Sequence, residues 1–376
     1  MSFIQQMIDA VKLLPIGGPG VCNIALTNVC NAKCDFCNYA RDKMYVQDRK
    51  WLDYEKLCEA LEILYDRGIR YVTLVGGEPT MHPKIREIVA HAVKIGMRPT
   101  MVTNGSRLSP ELLADLKKNG LKSLFISIDA ASAKDHEENR GLPGVFDRIQ
   151  AANEDCKRLK IKTVASVTIN KLIQDFAELL NTLSELGFDA VNFAYPKREL
   201  NSPALSFSQS SSLISYSMDE LTEALETVNS LKDDFSILNS HEAISEMIRF
   251  VRKEEQEYSC VAGYKYFYMD YNFDMYRCDF WATKMCSVFE FRDQPFMRDH
   301  CTACNSGCYR DASVLMHSAV SVGDAIQDFR NGKVGRAMRH LKKPTNFRSI
   351  KTLVQDWATI QKLAKTHTAT DQKEPV

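Results

Sequence analysis

Three cysteines near the start of the chain have a spacing that could hold a metal cluster. Cys30, Cys34 and Cys37 form a C-x3-C-x2-C pattern on a short stretch, residues 30–39. A 4Fe–4S cluster normally takes four thiolates, so three local ligands would leave one iron open. An open coordination position is where a metal site reacts with its substrate. A zinc site is the alternative, although zinc usually binds two cysteine pairs, or one pair with histidines.

The pattern C-x3-C-x-aromatic-C, in which Phe36 is the aromatic residue, resembles the signature of the radical S-adenosylmethionine (SAM) superfamily. The resemblance implies that Cys30, Cys34 and Cys37 bind a 4Fe–4S cluster whose open iron binds SAM. Reductive cleavage of SAM would give methionine and a 5′-deoxyadenosyl radical, which abstracts hydrogen from a substrate. In such a protein the cofactors carry the hard chemistry, and the chain binds and orients them. An external one-electron donor of the flavodoxin or ferredoxin type is also implied.

Further residues match positions that contact SAM in that superfamily. Gly76, Gly77 and Glu78 follow a predicted strand, where glycines allow close backbone approach and a carboxylate can accept from an ammonium group. The resemblance therefore assigns them to the amino group of SAM. For the rest of SAM it implies ribose, methionine, carboxylate or adenine contacts with Asn104, Ser127, Asp129, Arg140, Phe36 and Tyr39. An ordinary turn, helix cap, ion pair or core position is the alternative for each.

A second group of cysteines lies in the C-terminal third: Cys260, Cys278, Cys301, Cys304 and Cys308. An aromatic strand pattern at 264–269 and a turn pattern at 272–275 separate the first two, which predicts a β-hairpin with a cysteine at each end. A hairpin and a C-x2-C loop can supply the four thiolates of a complete cluster. The module resembles the SPASM/twitch extension, and its shortness implies one auxiliary 4Fe–4S cluster. Cys260, Cys278, Cys301 and Cys304 are the favoured ligands, Cys308 is a contender, and zinc is the alternative.

Six units, each a strand followed by a helix, must position Cys30, Cys34 and Cys37. Strands are predicted at 23–27, 71–75, 98–102, 123–128, 162–169 and 190–194. Such repeats favour parallel strands with right-handed crossovers. We therefore expect an α/β fold: a partial (β/α)6 TIM-like barrel, with a small cysteine-rich module and a helical tail. The cysteine loop and most predicted SAM contacts follow strand ends, where barrel active sites lie.

The same patterns divide the chain into segments. We predict an N-terminal amphipathic helix in 1–19, the barrel core in 20–217, a helical linker in 218–258, the auxiliary module in 259–311 and a basic helical tail in 312–376.

Composition argues against several classes of protein. Lys+Arg and Asp+Glu are 48 each, so overall charge does not indicate a nucleic-acid partner. Neither an apolar run long enough to span a membrane nor a secretory signal is present in the sequence. Twelve cysteines without such a signal indicate metal ligands in a reducing compartment, and hence a cytoplasmic protein. The basic stretch 333–351, with the amphipathic N-terminus, suggests peripheral membrane contact as an alternative to a merely solvated face.

The sequence therefore predicts a radical SAM enzyme. Peptide-modifying members with such a module often carry a leader-binding domain of roughly eighty residues, whereas only about twenty residues precede the first predicted strand. This favours a non-peptide substrate: a small molecule, a sugar or cyclitol, or a lipid-linked compound. A peptide-modifying enzyme and a non-catalytic metal-binding or sensing protein are the alternatives.

Overall fold

The computed structural model of the protein describes residues 11–40, 46–196 and 211–355. Most of the predicted N-terminal helix lies outside these residues. So do residues 197–210, at the end of the predicted barrel segment, and the last part of the predicted tail.

One nine-stranded sheet organises the described part of the chain, in the order β6-β5-β4-β3-β2-β1-β7-β8-β9. The strands are β1 (Gly20–Ala25), β2 (Ile69–Val75), β3 (Arg98–Thr103), β4 (Ser123–Ile128), β5 (Lys162–Thr168), β6 (Ala190–Ala194), β7 (Tyr266–Met269), β8 (Asp274–Tyr276) and β9 (Cys286–Ser287). Strands β1 to β6 are all parallel to their neighbours. The predicted α/β fold with six parallel strands is confirmed, and the sheet is open rather than closed.

Helices connect these strands and cover one face of the sheet. They are α1 (Tyr54–Asp66), α2 (Ile85–Lys94), α3 (Pro110–Lys118), α4 (Ala133–Arg140), α5 (Val145–Leu159) and α6 (Phe176–Glu185). Asp53 and Ser109 begin α1 and α3 by accepting a hydrogen bond from a first-turn backbone N–H. Alternate strand residues such as Leu74, Ile126 and Val167 are buried in the core. Their neighbours therefore point to the opposite face of the sheet.

Helix α4 is a helix that the apolar pattern did not predict. Its sequence, AKDHEENR, is polar throughout, so it lacks the periodicity that marks an amphipathic helix. Ser132 caps its start and Gly141, at φ 56°, ends it in the left-handed conformation. The helix matters because it carries Arg140.

The cysteine-rich segment continues the same sheet. After α7 (Met218–Ser230) and α8 (His241–Val251), strand β7 pairs parallel with β1. Strand β8 then returns antiparallel to β7, which confirms the predicted hairpin. The segment 259–311 is thus joined to the barrel strands by backbone hydrogen bonds, and β1 lies in the middle of the sheet.

Three helices complete the described chain: α9 (Gly307–Arg330), α10 (Val334–Leu341) and α11 (Pro344–Gln355). The boundary predicted at residue 311 falls inside α9, so one continuous helix connects the module to the tail. Both α10 and α11 pack against α9. Within the described ranges, no helix has the length and apolar character needed to cross a bilayer.

Candidate active site

The loop after β1 brings the first three cysteines together. Electrostatic interactions with both Cys30 and Cys37 raise the pKa of the Cys34 thiol, so the three sulfurs lie close to one another. Burial is the largest cause of that rise, and it also raises the pKa of Cys30, to about 12. None of the twelve cysteines forms a disulfide. Buried thiols of this kind release their protons when a metal binds them.

The number of these thiols fits a cluster better than a structural zinc site, which takes four protein ligands. Among the described residues, no group of three or more His, Cys, Asp or Glu side chains is arranged around a single ion position. A 4Fe–4S cube instead binds each thiolate through a different iron. The donor set of three neighbouring thiols therefore fits a 4Fe–4S group.

Gly76 and Gly77 hold this loop through the backbone. The N–H of Gly77 donates to the Thr27 carbonyl at 2.8 Å, and the N–H of Glu78 donates to Val29 at 2.7 Å. A Cβ on Gly77 would stand 2.1 Å from the Val29 oxygen, and one on Gly76 would stand 2.3 Å from the Thr27 oxygen. The close approach that these glycines allow is thus to the segment between β1 and the first cysteine of the loop.

Replacing Gly77 with alanine is expected to displace the cysteine loop. The added Cβ meets backbone that cannot move without shifting the loop, so we expect a loss of about 1–3 kcal/mol in the free energy of unfolding. Iron content after anaerobic reconstitution should fall together with stability. Gly335→Ala is the matched control, because no atom lies within 4 Å of the position that a Cβ would take there. Equal stability and iron content in the two variants would contradict the assignment.

The Glu78 side chain is satisfied by protein donors. It is 1% exposed. Its Oε1 accepts from the Thr80 and Thr103 hydroxyls, each at 2.6 Å, and its Oε2 accepts from the Asn104 N–H at 2.8 Å. Glu78 therefore ties the end of β3 to the end of β2, and this network fixes the position of Asn104.

Asn104 in turn contacts the cysteine loop. Its Nδ2 donates to Asn31 Oδ1 at 2.9 Å and lies 4.0 Å from the Cys30 sulfur. Its Oδ1 accepts from the Ser106 N–H at 3.0 Å. Asn31 donates to the Ser106 hydroxyl at 2.9 Å. The structure thus places Asn104 beside Cys30, at the edge of the sheet where β3 ends.

Asp129 and Arg140 form a buried ion pair next to the thiols. Arg140 Nη2 lies 2.6 Å from Asp129 Oδ1, and Asn139 donates to Asp129 Oδ2 at 2.8 Å. Burial opposes the charge of Asp129, but Arg140, His136 and Asn139 together outweigh it and hold the pKa of Asp129 below its ordinary value. The Nε of Arg140 is buried and has no hydrogen-bond partner among the described residues. Arg140 also lowers the pKa values of Cys34 and Cys30, so its charge faces the thiols.

Three other residues that are predicted to contact SAM, namely Phe36, Tyr39 and Ser127, lie in different surroundings. Phe36 packs on Ile214 and is 5% exposed. Tyr39 is a core residue whose hydroxyl shares a 3.0 Å hydrogen bond with that of Tyr268. Ser127 is half-buried on the sheet face opposite the helices. Of these three, Ser127 therefore has a side chain on the open face, whereas the two aromatic rings are enclosed by protein.

Four of the five C-terminal cysteines line one cavity of about 260 Å³: Cys260, Cys278, Cys301 and Cys304. The Cys260 N–H donates to the Cys301 carbonyl at 2.9 Å, which joins the hairpin to the C-x2-C loop. Burial raises the pKa of Cys278 to about 12. Cys308 is exposed and lies outside the lining of this cavity. The geometry therefore separates Cys308 from the other four.

A polar contact connects the end of β6 to helix α9. The Tyr195 hydroxyl donates to Asp311 Oδ1 at 3.3 Å, and Asn239 Nδ2 donates to Asp311 Oδ2 at 2.7 Å. Burial outweighs these hydrogen bonds and raises the pKa of Asp311 to about 7. The Asp311 carboxyl of the folded protein therefore keeps its proton at pH values at which the unfolded chain has already released it.

This contact predicts a pH dependence of stability. Because the pKa of Asp311 is raised on folding, its contribution is fully present below pH 3.8 and is lost as pH rises toward 7. Between about pH 5 and about pH 7.5 the wild type should lose on the order of 2–3 kcal/mol more unfolding free energy than Asp311→Asn. Urea unfolding of both proteins at the two pH values measures this difference. An equal change in unfolding free energy with pH in the two proteins would contradict the prediction.

Several residues of the site were not predicted from the sequence. Asn31 and Thr103 join the network described above, and each lies beside a predicted residue in the chain. Asp279 directly follows Cys278, is 8% exposed, and accepts from the Ser306 hydroxyl at 3.0 Å. Asn139 reaches Asp129 from α4, a helix without a sequence signal. For Asn31, Thr103 and Asp279, the signal available in the sequence was a polar residue directly beside a predicted site residue.

Comparison with known proteins identifies the core domain. Residues 24–186 match the Radical SAM superfamily. An AdoMet-dependent heme synthase of Methanosarcina barkeri is 29% identical over 163 residues, which is 43% of this chain and 46% of the relative. An S-adenosylmethionine-dependent nucleotide dehydratase of Flammeovirga pacifica is 33% identical over 165 residues, 41% of this chain and 57% of the relative. The matched region thus spans about half the length of these curated relatives.

Solved structures resemble the fold over a larger part of the chain. The protein anSMEcpe with bound AdoMet superposes with a TM-score of 0.56 at 15% identity, covering 92% of this chain and 99% of the other. Streptococcus suis SuiB bound to S-adenosylmethionine gives 0.56 at 18% identity, covering 86% and 79%. This likeness of fold thus reaches well beyond the matched core. The chain therefore contains a region, residues 24–186, that matches the Radical SAM superfamily.

Proposed function

We propose that the protein is a radical SAM enzyme that abstracts hydrogen from a small polar, non-peptide substrate. The substrate class comprises small molecules, sugars or cyclitols, and lipid-linked compounds that carry such a group. Modification of a peptide is the second candidate, and a metal-binding or sensing protein without turnover is the third.

The observation that carries this proposal is the position of the three thiols relative to the open face of the sheet. Cys30, Cys34 and Cys37 follow β1, and Glu78, Asn104 and Asp129 follow the next three strands. Toward this edge, the face opposite the helices presents half-buried polar side chains beside apolar ones. The polar residues are Thr73, Thr100, Ser127, Ser166, Thr168 and Asn192, and the apolar residues are Val75, Val102, Phe125 and Ala194. Such a surface offers hydrogen bonds to a polar substrate without placing a fixed charge against it.

Each residue of the core site has a role in this proposal. Cys30, Cys34 and Cys37 would hold the 4Fe–4S cluster. When bound, that cluster supplies the electron that cleaves SAM and so generates the 5′-deoxyadenosyl radical that abstracts hydrogen. Arg140 places a buried cation beside the thiolates and offers its Nε to an anionic group. Glu78 acts as a positioning residue, because its bonds fix Asn104 and the end of β3.

The second cysteine group would hold an auxiliary cluster. Cys260, Cys278, Cys301 and Cys304 line one cavity, and four thiolates complete the coordination of a 4Fe–4S group. The site lies at the end of β8, in the same sheet as the core site. A cluster held there would accept an electron from a substrate radical or help to bind the substrate.

Relatives support both substrate classes to different degrees. The names of the heme synthase and the nucleotide dehydratase describe non-peptide chemistry, and these proteins share the core domain with this chain. SuiB has been solved bound to its precursor peptide, with a TM-score of 0.52 at 18% identity. At that identity the likeness concerns the fold, so the closer sequence relatives favour the non-peptide class.

The experiment that tests the proposal measures the transfer of deuterium from a candidate substrate to 5′-deoxyadenosine. The anaerobically reconstituted protein is reduced, supplied with SAM, and assayed for 5′-deoxyadenosine by mass spectrometry with deuterated sugars, cyclitols, nucleosides or peptides. Deuterium in 5′-deoxyadenosine from a non-peptide compound supports the proposal, and transfer from a peptide alone would favour the second candidate. Protein that holds iron but neither binds nor cleaves SAM would favour the third.

Two further expectations follow from this chemistry. We propose a cytoplasmic protein, because reduced thiols and clusters persist in a reducing compartment. A flavodoxin- or ferredoxin-type protein is the proposed electron donor.

A further inference from the structure

Helix α11 is packed with its polar side inward. Its buried residues are Asn346, Ser349 and Thr352. Ser349 donates to the Val314 carbonyl of α9 at 2.7 Å, which fixes this orientation. The usual arrangement in a globular protein is the reverse, with the apolar stripe against the core.

The outward side of α11 is apolar. Phe347 is 73% exposed, Ile350 is 51% exposed and Val354 is 69% exposed. These residues are spaced three and four positions apart, so they form one stripe on the helix. Large side chains that are exposed together mark an interaction surface rather than the scattered exposure found on any protein.

Helix α10 repeats the arrangement just before α11 in the chain. Val334, Met338 and Leu341 are 55%, 39% and 40% exposed, and their spacing also places them on one side of the helix. The small residue Ala337 faces inward. Two consecutive helices thus present apolar stripes to the outside. We call these six residues and the two helices that carry them the tail face.

Cations border the tail face. Residues 333–351 contain seven Lys and Arg residues and no acidic residue: Lys333, Arg336, Arg339, Lys342, Lys343, Arg348 and Lys351. Arg336 and Arg348 pair with acidic residues elsewhere in the protein. The other five form no ion pair with any residue of the described ranges. Lys351 lies four positions after Phe347 on α11, beside its apolar stripe, and Lys343 directly precedes the first residue of that helix.

This combination identifies the chemistry of the partner. An apolar stripe bordered by lysines is the pattern of helices that lie in the interface of a membrane containing anionic lipids. A second copy of the chain is disfavoured, because a two-fold contact places like charges against each other. A nucleic acid would neutralise the lysines but would leave the apolar stripes in water.

We propose that the tail face docks the protein on an anionic lipid surface, with the six apolar residues inserted among the lipids and the lysines at the headgroups. The proposal is independent of the radical chemistry, so its failure would leave the proposed function standing. It would place the enzyme where a lipid-linked substrate is found.

Vesicle sedimentation with the full chain tests the apolar part of the tail face. Wild type should pellet with vesicles of phosphatidylcholine mixed with phosphatidylglycerol, and a Phe347→Ser, Ile350→Ser, Val354→Ser variant should lose at least about tenfold in partitioning. Met218→Ser is the control, because Met218 is an apolar residue on α7, outside the tail face, that is 50% exposed. Circular dichroism and iron content confirm that each variant is folded.

Charge reversal tests the lysines. Lys343→Glu with Lys351→Glu should lower partitioning at least about tenfold, because each cation contributes to binding at an anionic surface. Lys56→Glu with Lys94→Glu makes the same change in net charge elsewhere on the exposed surface and should bind as wild type does. Added salt should weaken wild-type binding, and vesicles of phosphatidylcholine alone should bind less protein.

Three outcomes would overturn the proposal. One is a wild-type protein that does not pellet with the anionic vesicles. Another is binding that neither the serine variant nor the glutamate variant reduces. The third is a concentration-dependent dimer in sedimentation equilibrium that the serine variant abolishes while vesicles bind nothing, because the tail face would then be an interface between two copies.

Discussion

Replacing Cys30, Cys34 and Cys37 together with alanine is expected to abolish 5′-deoxyadenosine formation. Alanine has no donor atom, and loss of even an outer-shell partner of a metal ligand typically costs about 10–100-fold in affinity or activity. Loss of all three thiols should therefore exceed about 100-fold. Iron should fall by about one cluster, while the second cluster is kept because its ligands lie on other elements. Iron analysis and chromatography of the reaction after anaerobic reconstitution measure both quantities.

The retained cluster serves as the internal control for folding. Cys58→Ala is a matched single control, because Cys58 lies on α1 among Glu55, Glu62 and Tyr54 rather than beside another thiol. It should keep the iron content and the turnover of the wild type. SAM cleavage at the wild-type rate by the triple variant would show that another group holds the reactive cluster.

Replacing Cys260 and Cys278 with alanine is the change with the second largest expected effect. These thiols line the cavity in the C-terminal module, so iron should again fall by about one cluster. Product formation from the substrate should stop, whereas SAM cleavage should continue because the loop after β1 is intact. Measuring 5′-deoxyadenosine and substrate product in one reaction separates the two effects.

Cys308→Ala provides the matched control within the same module. Cys308 is exposed and lies outside the cavity lining, so the variant should keep both clusters. Loss of iron in Cys308→Ala, with full iron in Cys304→Ala, would show that Cys308 is a ligand of the second cluster and that Cys304 is not. Unchanged iron in the Cys260 and Cys278 variant would remove the auxiliary site altogether.

The features of this protein that depend on local spacing could be predicted from the order of its amino acids. The thiol pattern of Cys30, Cys34 and Cys37 is a local property of one loop, and strand and helix periodicity is set within a few residues. The strands Ser123–Ile128 and Ala190–Ala194 therefore have the bounds that the pattern predicts. The hairpin between Cys260 and Cys278 was predictable for the same reason.

The way in which distant segments meet depends on the packing of the folded chain. Which four of five cysteines share a cavity depends on the packing of a hairpin against a loop, and Cys308 lies outside the lining of that cavity. Glu78 and Asn104 have protein partners that lie on other strands. The inverted packing of α11 is equally invisible in its sequence, because periodicity defines two sides of a helix but does not say which side the neighbouring helix covers.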